Sequence, residues 1–227
     1  MRRIFFVLPL ISAVALSGCW EGISRDVLAT VLSTRGEVVS LSKGSANFGP
    51  VGPETKLGAG SILRTLSGAK VDLLLVPGAL ARVSGNSELK IEELNLTKDG
   101  NETGDAIRER VARMELRRGT MIVLFEGFAH FTIETRAATI RVLPSCLLRL
   151  DVDETRTRAT CVRGKLYATP QNGQPVAIDT GFFREWPSVR GAVSTTEDPQ
   201  GQTDTPSTLE AARELQELAA QRDRLPF

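Results

Sequence analysis

The sequence predicts an all-β fold: an antiparallel β-sandwich-like domain followed by a disordered linker and a short C-terminal helix. Three observations carry this. Between about Val27 and Trp186 the chain is a series of short apolar or alternating runs cut by Gly and Pro, the spacing of an all-β domain. After Pro187 the composition turns to Ser, Thr, Gly, Gln, Asp and Pro, which suits a flexible linker over residues 187–206. Residues 207–224 then regain a helical pattern, with Ser207 or Thr208 as cap and Glu210 in the first turn. Leu209, Ala212, Leu215 and Leu218 or Ala219 form its modest apolar stripe, for packing on the domain or for docking a partner.

The elements begin with a leader. Arg2 and Arg3 precede an apolar run over residues 4–16, broken only by Pro9 and Ser12. That run is shorter than the ~20 residues a membrane-spanning helix needs, so residues 1–18 read as a signal peptide. It ends in Leu16-Ser17-Gly18-Cys19, which resembles a bacterial lipoprotein lipobox. Cys19 is then the acylated residue, carrying chains such as palmitate, and becomes the mature N-terminus. Acyl chains contribute roughly 0.8 kcal/mol per buried CH₂, and more than one gives stable anchoring. Trp20 stands where enterobacteria place Asp to retain lipoproteins in the inner membrane. This points to the outer membrane, facing the periplasm, with residues 19–28 as a tether.

Over residues 29–186 the candidate strands are 29–33, 37–41, 61–65, 69–76, 79–84, 87–93, 114–117, 120–125, 130–134, 138–143, 146–152, 156–163, 165–169 and 175–179. Alternation is clearest from Glu88 to Glu92, where charged residues flank Leu89 and Ile91. The unalternated run over residues 73–76 suits burial on both sides. Glycines between the runs, among them Gly36, Gly60, Gly85, Gly119 and Gly164, read as turns needing positive φ. Residues 97–105 form a polar loop. Ile107 and Val111, one helical turn apart, suggest a short helix over residues 106–113.

With Cys19 acylated, Cys146 and Cys161 remain, an even number in an oxidising compartment. The alternating segment between them reads as a hairpin turning at Asp153-Glu154. That register sets Cys146 opposite Cys161, within reach of a disulfide.

Composition narrows the function. Loss of Arg2 and Arg3 takes the formal charge from +1 to −1, which gives no electrostatic case for nucleic acid. Aromatics at 5% disfavour a stacked-ring carbohydrate platform. The lone His130 is expected to be structural or exposed rather than a base. No His, Cys and Asp cluster has metal-ligand spacing, and the carboxylates of Asp151, Asp153 and Glu154 suit turn chemistry better than calcium. Arg117, Arg118, Arg156 and Arg158 read as solvated strand faces. The sequence offers no catalytic constellation, no cofactor motif and no evident small-molecule substrate.

The order of motifs resembles the FecR domain. Gly36-Glu37-Val38 matches its leading strand, and residues 57–65, Leu-Gly-Ala-Gly-Ser-Ile-Leu-Arg-Thr, match its Gly-Leu-x-x-Gly-Asp-x-Ile-x-Thr turn. Leu116-Arg117-Arg118-Gly119 and Phe131-Thr132-Ile133-Glu134-Thr135 follow the second half, then Gly164-Lys165-Leu166 and Gly181. Ser61 replaces the family's Asp, and Pro144-Ser145 replaces a Gly-Thr, as in a divergent member. The resemblance implies a non-enzymatic extracytoplasmic β domain that binds protein. Its best-known members relay iron-uptake signals to a cytoplasmic anti-sigma segment. Only Met1 to Arg3 precede the apolar run here, so sigma-factor control is not carried over. The expected function is a lipid-anchored FecR-type protein-interaction or signalling module of the bacterial envelope, bound to the membrane through Cys19 and to an envelope protein. The alternative is a structural lipoprotein that binds cell wall or polysaccharide.

Overall fold

A computed structural model of the chain describes residues 23–98, 107–127, 130–188 and 191–224. In chain order the strands are β1 (Ile23–Asp26), β2 (Ala29–Arg35), β3 (Val38–Leu41), β4 (Gly49–Pro50), β5 (Lys56–Leu57), β6 (Ile62–Thr65), β7 (Lys70–Val76), β8 (Ala79–Lys98) and β9 (Ile107–Phe125). There follow β10 (His130–Glu134), β11 (Ala138–Val142), β12 (Cys146–Val152), β13 (Thr157–Arg163), β14 (Lys165–Pro170), β15 (Val176–Asp179), β16 (Phe182–Trp186) and β17 (Val193–Ser194). A 3₁₀ turn at Thr195–Glu197 leads into helix α1 (Pro199–Arg222).

The strands form one hydrogen-bonded sheet that doubles over into two layers. Layer one runs β5–β2–β7–β8–β9–β12–β13–β16–β17, using the first residues of β8 and the last of β9. Layer two runs β4–β3–β6–β8–β9–β10–β11–β14–β15, using the other halves of the same two strands. β1 lies beside the end of β8, Ile23 opposite Lys98. Positive-φ glycines stand at several of the crossings between layers, among them Gly36, Gly85, Gly119 and Gly164. Two of these are fixed by space as well as by conformation. A Cβ on Gly119 would stand 1.9 Å from Ser87 Oγ, and one on Gly164 would stand 2.6 Å from Ser145 O. Ser87 stitches its corner, accepting from Thr120 N and donating to Ser84 O.

Between the layers lies the main core. Val31, Val71, Leu73, Val83, Met121, Val123, Leu148 and Leu150 of layer one face Leu63, Leu89, Ile91, Met114, Leu116 and Ile140 of layer two. Phe125 and Phe131 meet edge to face, ring centroids 5.6 Å apart.

The all-β reading and the C-terminal helix hold, with four corrections. The runs 79–84 and 87–93 are one strand, β8, and the runs 114–117 and 120–125 are parts of β9. Residues 107–113, expected as helix, are the start of β9, because pairing with β8 buries Ala112 and Met114 on alternate positions. One pair, β9 with β10, is parallel. β9 passes from layer two into layer one, and β10 returns beside the half left in layer two.

The fourth correction is the linker. Residues 193–198 hold β17 and the 3₁₀ turn, and α1 starts at Pro199 rather than Ser207. Asp198 is the true cap, its Oδ2 accepting from Gly201 N at 2.7 Å, with Pro199 just inside the helix. Pro206 reads as a helix breaker, yet it lies inside α1. A proline there costs about 3 kcal/mol in an isolated helix, so tertiary anchors must offset it. The leader, Cys19 and the loop residues 99–105 lie outside the described residues.

Candidate functional site

Strand alternation gives layer one an apolar stripe on its outer face: Leu80, Ile122, Leu124, Leu147 and Val162. α1 covers this stripe with Ala211, Ala212 and Leu215, forming a second, smaller core. Alanines let the helix backbone come close. Its first half carries no comparable apolar side chains, and there the contact is ionic.

Three arginines on the outer face of layer one reach up to α1. Arg158 of β13, 2% exposed, donates to Asp198 Oδ2 at 2.6 Å and to Glu185 Oε1 at 3.0 Å, and its guanidinium lies 3.6 Å from the centre of the Phe183 ring. Arg149 of β12 forks onto Asp151 and reaches Asp204 of α1 at 3.5 Å. Arg82 of β8 forks onto Asp72 and pairs with Glu214 at 2.7 Å. Lys70 adds a second cation to Glu214 at 3.3 Å.

These contacts set the acidities. The hydrogen bond from Arg82 holds the Glu214 carboxyl below its ordinary range, against the opposing effect of burial. Burial pulls Asp198 upward, but the bonds from Arg158 and from Gly201 N bring it below its ordinary value. Arg158 Nε, Thr160 Oγ1 and Asp204 Oδ2 are buried with no hydrogen-bond partner among the described residues. The first half of α1 is thus held by charge over an imperfectly satisfied polar seat.

Beyond Leu215 the helix leaves part of the stripe open. A groove of about 440 Å³ lies between the last turns of α1 and the β7–β8 turn. Leu74, Pro77, Leu80, Leu124, Ala219 and Ala220 give it an apolar floor and walls. Polar groups stand at its rim: Asp223, Gln216 and Glu126, the last accepting from both Gln216 and Arg163. An apolar cleft continuous with a buried interface, rimmed by hydrogen-bonding groups, suits a large apolar side chain from a partner.

The residues expected from sequence fall elsewhere. Cys146 and Cys161 are buried and both are free thiols, which corrects the expected disulfide. The hairpin turns one position later than predicted. Asp153 Oδ1 accepts from Thr155 N, Thr155 Oγ1 and Arg156 N, and centres the turn on Glu154-Thr155. Cys161 therefore faces Leu148, with a bulge between Leu147 and Leu148. The thiols remain neighbours, and the hydrogen bond with Cys161, helped by burial, pushes the Cys146 thiol far above its ordinary value.

His130 is exposed, its Nε2 3.5 Å from Glu109 Oε1, away from the groove. Asp151 is engaged by Arg149 and Thr120. Arg117 is a surface strand residue, as expected, paired with Glu88 and Glu115. Arg158, expected on a solvated face, is buried under Asp198. Sequence reasoning missed the groove, because its strand wall ends at Glu126 and its helix wall begins at Gln216, 90 residues later in the chain.

No family model matches the chain, and no curated protein matches it. Two crystal structures of a candidate anti-sigma factor from Parabacteroides distasonis are similar to it at 11% identity, with TM-scores of 0.43 and 0.42. Each similarity covers 59% of this chain, and the chain spans 59% of the length of the matched one.

Proposed function

We propose that the chain is a lipid-anchored extracytoplasmic module of the bacterial envelope, of FecR type, that binds a protein partner in signalling and catalyses no reaction. It is anchored through Cys19 to the outer membrane and faces the periplasm. The observation that carries the binding role is the apolar groove beside α1, continuous with the helix seat and open to solvent. The lipobox at residues 16–19 supports the anchor. The FecR-like order of motifs supports a protein partner over a small molecule.

The test is site-specific photocrosslinking in cells. A photoreactive residue replaces Ala220 in the groove or, as control, exposed Thr139 on the outer face of layer two. An envelope protein recovered from the Ala220 position and absent from Thr139 supports the reading. Adducts only to peptidoglycan or polysaccharide would replace it with the structural lipoprotein. The anchor is tested separately: Cys19→Ala should move the chain from the membrane to the soluble fraction.

A further inference from the structure

At one end of the sandwich the β10–β11 turn of layer two meets the β12–β13 turn of layer one. Arg136 of the first turn donates through Nη2 to the Glu154 carbonyl of the second. Beside this contact lies a cleft of about 210 Å³, whose lining includes Arg136, Ala137, Asp153, Arg156, Trp186 and Pro187. It shares no residue with the groove beside α1. Trp186 is 5% exposed and packs in the main core, yet its indole Nε1 is buried with no hydrogen-bond partner among the described residues. Such a donor gives up its water on folding and regains nothing unless an acceptor reaches it.

We propose that this cleft is a carboxylate-binding site, in which Arg136 and Arg156 hold the ligand's two oxygens and the Trp186 indole N–H donates to one of them. Arg156 has donors to spare. Its Nη1 stands 3.4 Å from Glu185 Oε1 and its Nε 3.6 Å from Asp153 Oδ2. Both contacts are longer than the about 2.7–2.9 Å of a charge-assisted hydrogen bond. Arg136 donates to a neutral carbonyl, and no carboxylate pairs with it among the described residues. Two guanidinium groups and one indole N–H therefore border a single cleft, each with bonding capacity unused.

Charge and shape together select the ligand. A third arginine, Arg184, lies with its guanidinium 5.8 Å from the centre of the Trp186 ring. These three cations are balanced by Asp153, Glu154 and Glu185. The site therefore recognises an anion at contact, by its donors, rather than drawing it from a distance. Asp153 Oδ1 is taken up by Thr155 N, Thr155 Oγ1 and Arg156 N of its own turn. Its negative charge still stands at the cleft and repels a dianion more than a monoanion. A planar, singly charged carboxylate thus fits better than phosphate, and it matches the flat guanidinium fork. Ala137 and Pro187 suit a short apolar stem behind the carboxylate, as in an acidic side chain of a protein or a small free acid.

The experiment uses the full chain with isotope-labelled tryptophan and follows the indole N–H resonances by NMR. The chain holds two tryptophans, so Trp186→Phe assigns the signal and Trp20 serves as internal control. Propionate and the peptide acetyl-Ala-Glu-Ala-amide are the probes. A saturable downfield shift of the Trp186 indole proton is expected, and no such shift with either probe overturns the site. The tighter of the two names the source: the peptide for a protein side chain, propionate for a free acid. Neutral propionamide and inorganic phosphate should bind about tenfold more weakly, and phosphate or propionamide binding as tightly as propionate overturns the carboxylate assignment. Arg136→Gln and Arg156→Gln, at an exposed and a half-buried position, should each weaken binding about tenfold with the far-ultraviolet spectrum unchanged. Arg141→Gln, exposed on β11, should not. Undiminished binding in either cleft variant overturns that arginine's place in the site.

Discussion

Gly119 shows how tightly single residues fix this fold. Its φ of +96° and the 1.9 Å approach to Ser87 Oγ leave no space for a methyl group. Gly119→Ala is expected to destabilise the protein by about 2–4 kcal/mol in urea unfolding. Gly68→Ala is the matched control. Its φ is also positive, but no atom lies within 4 Å, so the cost should be about 1 kcal/mol. Equal losses would show that the close approach at the corner adds nothing. Cys146 and Cys161 make a second residue-scale point. A thiol reagent should leave both untouched in the native protein and titrate both after denaturation without reductant. A titration that finds neither would mean the hairpin adopts the register read from sequence.

At the scale of the element, α1 depends on what lies beneath it. An isolated helix of this composition, with Pro206 inside, would be marginal in water. Arg158→Met removes the guanidinium from Asp198 and Glu185 while keeping most of the side-chain volume. The expected loss is about 3 kcal/mol, at the low end for a buried pair because both carboxylates can still reach water. Hydrogen exchange should localise that loss to the first turns of α1, with the last turns less affected. The helix should also loosen in acid. Asp198 and Glu214 have folded-state pKa values below their ordinary ones, so each carboxylate's stabilisation is complete above its unfolded value, near pH 4. It is lost as pH falls through the lower folded values. Helical signal at 222 nm should therefore decline below about pH 4, and a decline confined to alkaline pH would contradict the sign.

For the whole molecule, the helix is the lid of a second core. Deleting residues 199–227 would expose Leu80, Ile122, Leu124, Leu147 and Val162 as one contiguous patch. The truncated protein should bind a hydrophobic dye and self-associate, as expected for apolar surface of that continuity. The sandwich core between the layers does not include α1, so the strands should persist in its far-ultraviolet spectrum. A truncated protein that stays monomeric and dye-free would mean the stripe closes by itself.

The sequence by itself determined the local features. Turn glycines and short alternating runs settled the all-β class, and the ends of β10 and β12 were legible residue by residue. Ala and Leu at helical spacing marked the second half of α1. Tertiary structure decided whatever depended on a distant partner. Runs that looked like two short strands became β8 and β9 because each crosses a glycine corner and continues in the other layer. Ile107 and Val111 carry a spacing compatible with helix, and pairing with β8 made them strand. The first turns of α1 contain Pro, Gly and Thr, and read as linker until Arg158 and Arg149 supply the charges that hold Asp198 and Asp204. The groove exists only where β7, β8, β9 and α1 converge. Local patterns report the preferences of neighbouring residues, whereas a buried ion pair or a cleft is a property of residues that meet only after folding.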